Sequence, residues 1–130
     1  KSEEYIKKYN IGLIVVDSLI SHFRGEYIGR ESLAVRQQKL NTYLHKLLKL
    51  ATAYNLAVLV TNQVMANPAV LFGNPLMPAG GHILGHGVTA RLFIRRSRKD
   101  RRVIKLVKSP YLPEREVEVI ITSEGIRDVE

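Results

Sequence analysis

The chain has 130 residues, a formal net charge of +8, no cysteine, and a balance of 45% hydrophobic to 25% charged residues. That length fits one domain, and the balance is that of a globular protein, not of a disordered tail. Disulfides, thiolate metal sites and cysteine nucleophiles are excluded, no apolar run approaches the roughly 20 residues of a membrane span, and the charged start Lys1-Ser2-Glu3-Glu4 has no signal-peptide core.

The excess positive charge favours a polyanionic partner through phosphate neutralisation. Basic proteins of other kinds share it, so charge alone leaves nucleic-acid binding open. The lack of cysteine is compatible with a reducing, cytoplasmic compartment.

In chain order, residues 1–10 read as the end of an amphipathic helix. Ile11-Gly12-Leu13-Ile14-Val15-Val16-Asp17 is a near-continuous apolar run ending in an acid, the pattern of a strand buried on both faces of a parallel sheet. Residues 18–30 read as a loop rich in Ser, Gly and Arg. Glu31 to Asn55 reads as a helix, with Leu33, Leu40, Leu44, Leu47 and Ala51 on one face and Arg36, Lys39, Lys46 and Lys49 mostly away from it. Leu56 to Thr61 is a second apolar strand. Strand, helix and strand make a βαβ crossover and predict an α/β fold with a parallel sheet and a flanking helix.

Residues 62–81 hold three prolines and three glycines and read as a long structureless loop, usually functional or disordered. A β-meander is expected next. Its strands run over Val88–Arg96, Arg101–Lys108 and Arg115–Thr122, with turns at Arg98-Lys99-Asp100 and Ser123-Glu124-Gly125.

Four groups of residues carry candidate chemistry. Asp17 closes the first buried strand, where open α/β sheets bind ligands. An acid there can hold Mg²⁺ beside a nucleotide, or simply cap a strand end. Thr61-Asn62-Gln63-Val64 leaves the second strand, and a short amide there can sense a phosphate oxygen or satisfy loop backbone.

The two loops that follow these strands should emerge on one edge of the sheet. The first carries His22, Arg24, Tyr27 and Arg30, and the second runs into Ala79-Gly80-Gly81-His82 and Gly85-His86-Gly87. Arginines and glycine N–H groups suit phosphates, so the pair suggests a single-strand channel, with ordinary surface loops as the alternative. The fourth group is the basic strand pair Arg95, Arg96, Arg98, Lys99, Arg101, Arg102 and Lys105. It could follow duplex phosphates or be a solvated strand pair guarding an edge. His82 and His86 have helix-like metal spacing, but no Glu lies between them and glycines surround them, which argues against a metal pair.

Taken together these residues resemble archaeal RadA recombinases, members of the RecA-like strand-exchange family. The matching strings run in order over nearly the whole chain: LIVVDS (13–18), HFRGEYIGRESLAVRQQKL (22–40), VTNQV (60–64), GGHILGH (80–86), SPYLPE (109–114) and EGIRD (124–128). The resemblance implies a RecA-like P-loop ATPase core that uses ATP and Mg²⁺. It also implies filaments on single-stranded DNA and pairing with double-stranded DNA.

By position, the resemblance makes Asp17 the acid near Mg²⁺. It assigns Arg24, Tyr27 and Arg30 to a first DNA loop, with Arg36 just beyond it, and Val64 through Gly81 to a second. Gln63 would couple the γ-phosphate to that loop, and the N–H groups of Gly80 and Gly81 would meet DNA phosphates. His86 would lie near a neighbouring subunit's γ-phosphate. Lys108, Ser109, Pro110, Leu112 and Pro113 would belong to a cap over ATP held by the adjacent protomer.

Two departures stand out. No Gly-x-x-x-x-Gly-Lys-Ser/Thr phosphate loop occurs in the chain, so residues 1–130 are expected to be the C-terminal part of the core, without ATPase activity in isolation. Lys108 stands where relatives commonly carry Asp beside a monovalent cation; its ammonium either replaces that cation or points to solvent. The competing readings are a non-catalytic module that binds single-stranded DNA or a protein, and a RecA-like core of the circadian-clock or helicase type. The Gly-Arg-Glu-Ser stretch and the cap sequence argue against the last.

Overall fold

The computed structural model describes residues 2–19, 33–62, 64–66, 76–78 and 87–129. The chain divides into two units, Lys1–Gly87 and Val88–Glu130.

In the first unit, helix α1 spans Ser2–Tyr9. Glu3 and Glu4 sit in its first turn and Lys7 and Lys8 in its last, each sign opposing the helix dipole. Asn10 ends the helix at φ 51°, and Ile11 N–H donates to the Ile6 carbonyl at 3.3 Å. This is a Schellman cap, with asparagine taking the left-handed position. Strand β1 follows over Leu13–Val16.

Helix α2 spans Leu33–Tyr54 and ends the same way, with Asn55 at φ 50° and Leu56 N–H on the Ala51 carbonyl at 3.1 Å. It delivers the chain into β2, Ala57–Val60. β1 and β2 pair in parallel, Leu13 opposite Ala57 through Val16 opposite Val60. The ladder is extended by Ala57 N–H to the Gly12 carbonyl at 2.9 Å and Thr61 N–H to the Val16 carbonyl at 3.0 Å.

The expected apolar face of the long helix is the core of this unit. Leu40, Leu44 and Leu47 are buried, together with Ile6, Val16, Leu19 and Leu56. Each such leucine contributes about 1.5–3 kcal/mol relative to exposure. Ala51 is half-buried, and the Leu33 side chain lies outside the described residues.

One expectation fails. β1 and β2 are not buried on both faces: Val16 is buried and Ile14, Val58 and Val60 half-buried, but Leu13, Val15 and Leu59 on the other face are 53–54% exposed. A helix packs on one side of a two-stranded sheet, and nothing among the described residues covers the other. A continuous apolar run reads the same whether one face or two are covered.

The stretch 62–81 is also not structureless throughout. β3, Val64–Ala66, pairs antiparallel with β4, Leu76–Pro78, with Val64 opposite Pro78. Pro78 at the end of this ribbon withholds one donor, and among the described residues β4 has no second neighbour to need it.

The second unit is an antiparallel sheet in the order β5-β6-β7-β8, with β5 at Arg91–Arg96, β6 at Arg101–Lys108, β7 at Arg115–Thr122 and β8 at Gly125–Asp128. The expected meander is present, with a fourth strand that the sequence reading did not assign. The Arg98-Lys99-Asp100 turn is closed by Arg101 N–H to the Arg98 carbonyl at 2.9 Å, with Lys99 at φ 52°. The β7–β8 turn needs φ 112° at Gly125, a value that L side chains rarely adopt.

The register gives the sheet two unlike faces. One carries Leu92, Ile94, Ile104, Leu106, Val117, Val119, Ile121 and Ile126, together with Arg96, Arg102 and Arg115. The other carries the cross-strand ion pairs Arg95–Glu116 at 3.8 Å and Arg101–Glu118 at 3.6 Å, and Lys105 on it meets Glu114, just before β7, at 3.8 Å. Three of the seven cations of the basic strand pair therefore meet carboxylates, as a solvated, charge-laced face would have it. Exposed pairs of this kind are each worth under about 1 kcal/mol. Arg96, Arg98, Lys99 and Arg102 form no ion pair among the described residues.

Candidate functional site

Parallel strands end together, so residues just past β1 and β2 share one edge. Asp17 follows β1 and Thr61 follows β2, one rung beyond the Val16–Val60 pair. Thr61 Oγ1 donates to Asp17 Oδ1 at 2.7 Å, although 44 positions separate them. The backbone of Thr61 is fixed as well. Its N–H donates to the Val16 carbonyl at 3.0 Å, and its carbonyl accepts from Leu19 N–H at 3.0 Å. Leu19 is fully buried and anchors the turn 17–19. The Asp17–Ser18 peptide is cis.

Asp17 itself is exposed. One carboxylate oxygen is held by a hydroxyl, and the other has no hydrogen-bond partner among the described residues. No group of three His, Cys, Asp or Glu that could hold a metal occurs among those residues. A transition-metal cage is therefore not what these residues offer. A single carboxylate on an open edge suits Mg²⁺, which keeps several waters and takes one or two carboxylates together with substrate phosphates.

The second described cluster lies in the second unit, at the end of β6. Lys108 Nζ donates to the Val88 carbonyl at 2.7 Å, and both residues are half-buried. The ammonium is thus held by a backbone carbonyl of the same unit. Ser109 Oγ then accepts from Tyr111 N–H at 3.2 Å and Leu112 N–H at 3.1 Å. This local serine turn closes the segment 109–112 on itself. Tyr111 is 90% exposed and Leu112 63%, so the segment presents apolar side chains outward. Pro110 and Pro113 stiffen its backbone by fixing φ.

Other expected site residues are placed by backbone alone or not at all. Arg36 lies in the first turn of α2, and Val64 opens β3. Arg24, Tyr27, Arg30, Gln63, Gly80, Gly81 and His86 lie outside the described residues, as do His22 and His82. The structure thus brings Asp17 to Thr61, and Lys108 to Val88 beside the Ser109 turn.

The sequence reading singled out the Thr61-Asn62-Gln63 stretch for its amides and missed the Thr61 hydroxyl. The available signal was a hydroxyl one rung past a parallel strand whose neighbour ends in an acid. Val88 was also missed, since a backbone carbonyl leaves no mark in the sequence.

The Rad51 family profile matches residues 1–129 of the chain. The chain belongs to the Rad51 family. That membership supports a RecA/Rad51-type recombinase assignment and a recombinase-related role in homologous recombination and repair. Full-length members of the Rad51 family are DNA-dependent ATPases that use ATP and Mg²⁺, bind DNA and form filaments. No helix among the described residues is long and apolar enough to cross a membrane.

Proposed function

We propose that this chain is the C-terminal part of the RecA-like ATPase core of an archaeal RadA-type recombinase. It would carry the DNA loops, the Mg²⁺-side acid and a cap for a neighbour's nucleotide. The observation that supports this best is the Asp17 carboxylate held by Thr61 at the shared edge of two parallel strands. That edge is where α/β sheets bind phosphate ligands.

ATP and Mg²⁺, when bound, supply the phosphoryl-transfer chemistry; the residues of this chain bind and orient. Asp17 holds the cation, directly or through water. Gln63 couples the γ-phosphate state to the second DNA loop, residues 64–81, where the N–H groups of Gly80 and Gly81 meet DNA phosphates. Arg24, Tyr27, Arg30 and Arg36 contact single-stranded DNA by charge and stacking. His86 and the segment from Lys108 through Ser109, Pro110, Leu112 and Pro113 meet nucleotide bound by an adjacent protomer. Nucleotide clamped between subunits then biases the DNA loops towards order, so that the nucleotide state sets DNA affinity.

No phosphate loop occurs in these 130 residues, so the chain alone should neither bind nor hydrolyse ATP appreciably. Titration of a labelled oligonucleotide at several salt concentrations tests the DNA half of the reading. Arg30→Ala should weaken single-strand binding and lower the magnitude of the salt slope by about 0.7 for each phosphate it no longer neutralises. An unchanged slope and affinity would remove Arg30 from the interface. Measurable ATP binding by the isolated chain would refute the account of the missing loop.

A further inference from the structure

We propose that Thr61 is a positioning residue that orients the Asp17 carboxylate for a divalent cation. The inference rests on the reading of Asp17 given above and adds a residue to it. An aspartate at an exposed strand end turns about χ1 and χ2, so an oxygen aimed at a cation one moment is aimed into water the next. Here Oδ1 receives the Thr61 hydroxyl at 2.7 Å. That is the short distance of a hydrogen bond to a charged acceptor.

The donor does not wander either. Thr61 is fixed at its N–H by the Val16 carbonyl and at its own carbonyl by Leu19 N–H, and β-branching stiffens its χ1. Three bonds from one residue therefore lace together positions 16, 17 and 19. Oδ1 is fixed in place, and Oδ2 is left to meet the cation at one orientation. The same arrangement ties the cation-facing carboxylate to the exit of β2, the backbone that continues through Asn62 towards β3. Groups that hold a ligating carboxylate by hydrogen bonds typically change metal affinity 10–100-fold when removed.

The test uses the 130-residue chain, with Mn²⁺ alone as the probe. In ¹⁵N correlation spectra Mn²⁺ should broaden amides of residues 17–19 and 61–62 in the unsubstituted chain. Thr61→Ser, which keeps the hydroxyl, should bind Mn²⁺ within about twofold of that. Thr61→Val, isosteric but without the donor, should bind about 10-fold more weakly. Asp17→Asn should abolish the effect.

Undiminished binding by Thr61→Val, with native shifts at Val16, Leu19 and Val60, overturns the role of Thr61 and leaves Asp17 as a ligand. Undiminished binding by Asp17→Asn, or no broadening near Asp17 at all, overturns both. If Thr61→Val disrupts the strand pair, the Asp17 χ1 couplings in the unsubstituted chain and in Thr61→Ser decide: one rotamer in both is expected, and rotamer averaging in the unsubstituted chain overturns the proposal.

Discussion

Replacing Lys108 by methionine keeps most of the side chain's length and apolar stem while removing its charge and donors. The bond removed, Nζ to the Val88 carbonyl at 2.7 Å, joins positions 20 apart and closes the end of the β5–β6 ladder. Hydrogen bonds to charged groups are worth about 1.5–3 kcal/mol. Both residues are half-buried, so water can take over part of the bond, and a destabilisation of about 1–2 kcal/mol is expected. That corresponds to roughly a 5–30-fold change in an opening equilibrium.

Amide hydrogen exchange reads the change where it should occur. The Arg91–Lys108 rung should exchange faster by that factor, while the Ile121–Ile126 rung at the far edge should change less. Exchange of the Arg91–Lys108 rung within about twofold of the unsubstituted chain would refute the reasoning. The bond would then be one that water replaces at no cost.

Three further outcomes are expected. Leu44→Ala, at a side chain 5% exposed, should destabilise the first unit by about 2–5 kcal/mol in thermal unfolding followed by circular dichroism, whereas Leu48→Ala, at 49% exposure, should cost far less. Gly125→Ala should cost the second unit about 1–2 kcal/mol in a urea titration because of its φ of 112°, while Gly12→Ala, with open space for a Cβ, should be tolerated. If the chain is part of a longer ATPase, as proposed, the ATPase activity of that protein should depend on potassium less than in its Lys108→Asp variant; equal and strong dependence in both would exclude a fixed ammonium acting in place of the cation.

Much of the fold was legible because apolar periodicity and strand length survive in any context. Leu40, Leu44 and Leu47 lie on one stripe of α2 in both sequence and structure. β1 and β2 lie inside the apolar runs 11–17 and 56–61, each shorter than its run, but the exposure of Leu13, Val15 and Leu59 was not legible, because exposure depends on what else is packed there. β8 escaped notice since Gly-Ile-Arg-Asp offers one apolar residue; it exists because Gly125 turns the chain back onto β7. β3 and β4 are three residues each, and their flanking prolines hid them.

At the candidate site, Asp17 was legible as an acid ending a strand. The Thr61 hydroxyl was not, since its partner lies 44 positions away. Cross-strand chemistry of that kind becomes readable only once the register is known.

That register has a consequence for what the chain can tolerate. With Val16 opposite Val60, the next rung sets a carboxylate against a hydroxyl. A slip of one position would set the carboxylate against Asn62 or Val60 and would turn every side chain of the strand to the opposite face. Each strand enters the sheet from its own helix cap, at Asn10 and at Asn55. A single residue added within Ala57–Val60 would dismantle that rung. Two halves that lie 44 positions apart along the chain thus meet through a register that a count of one within a four-residue strand would undo.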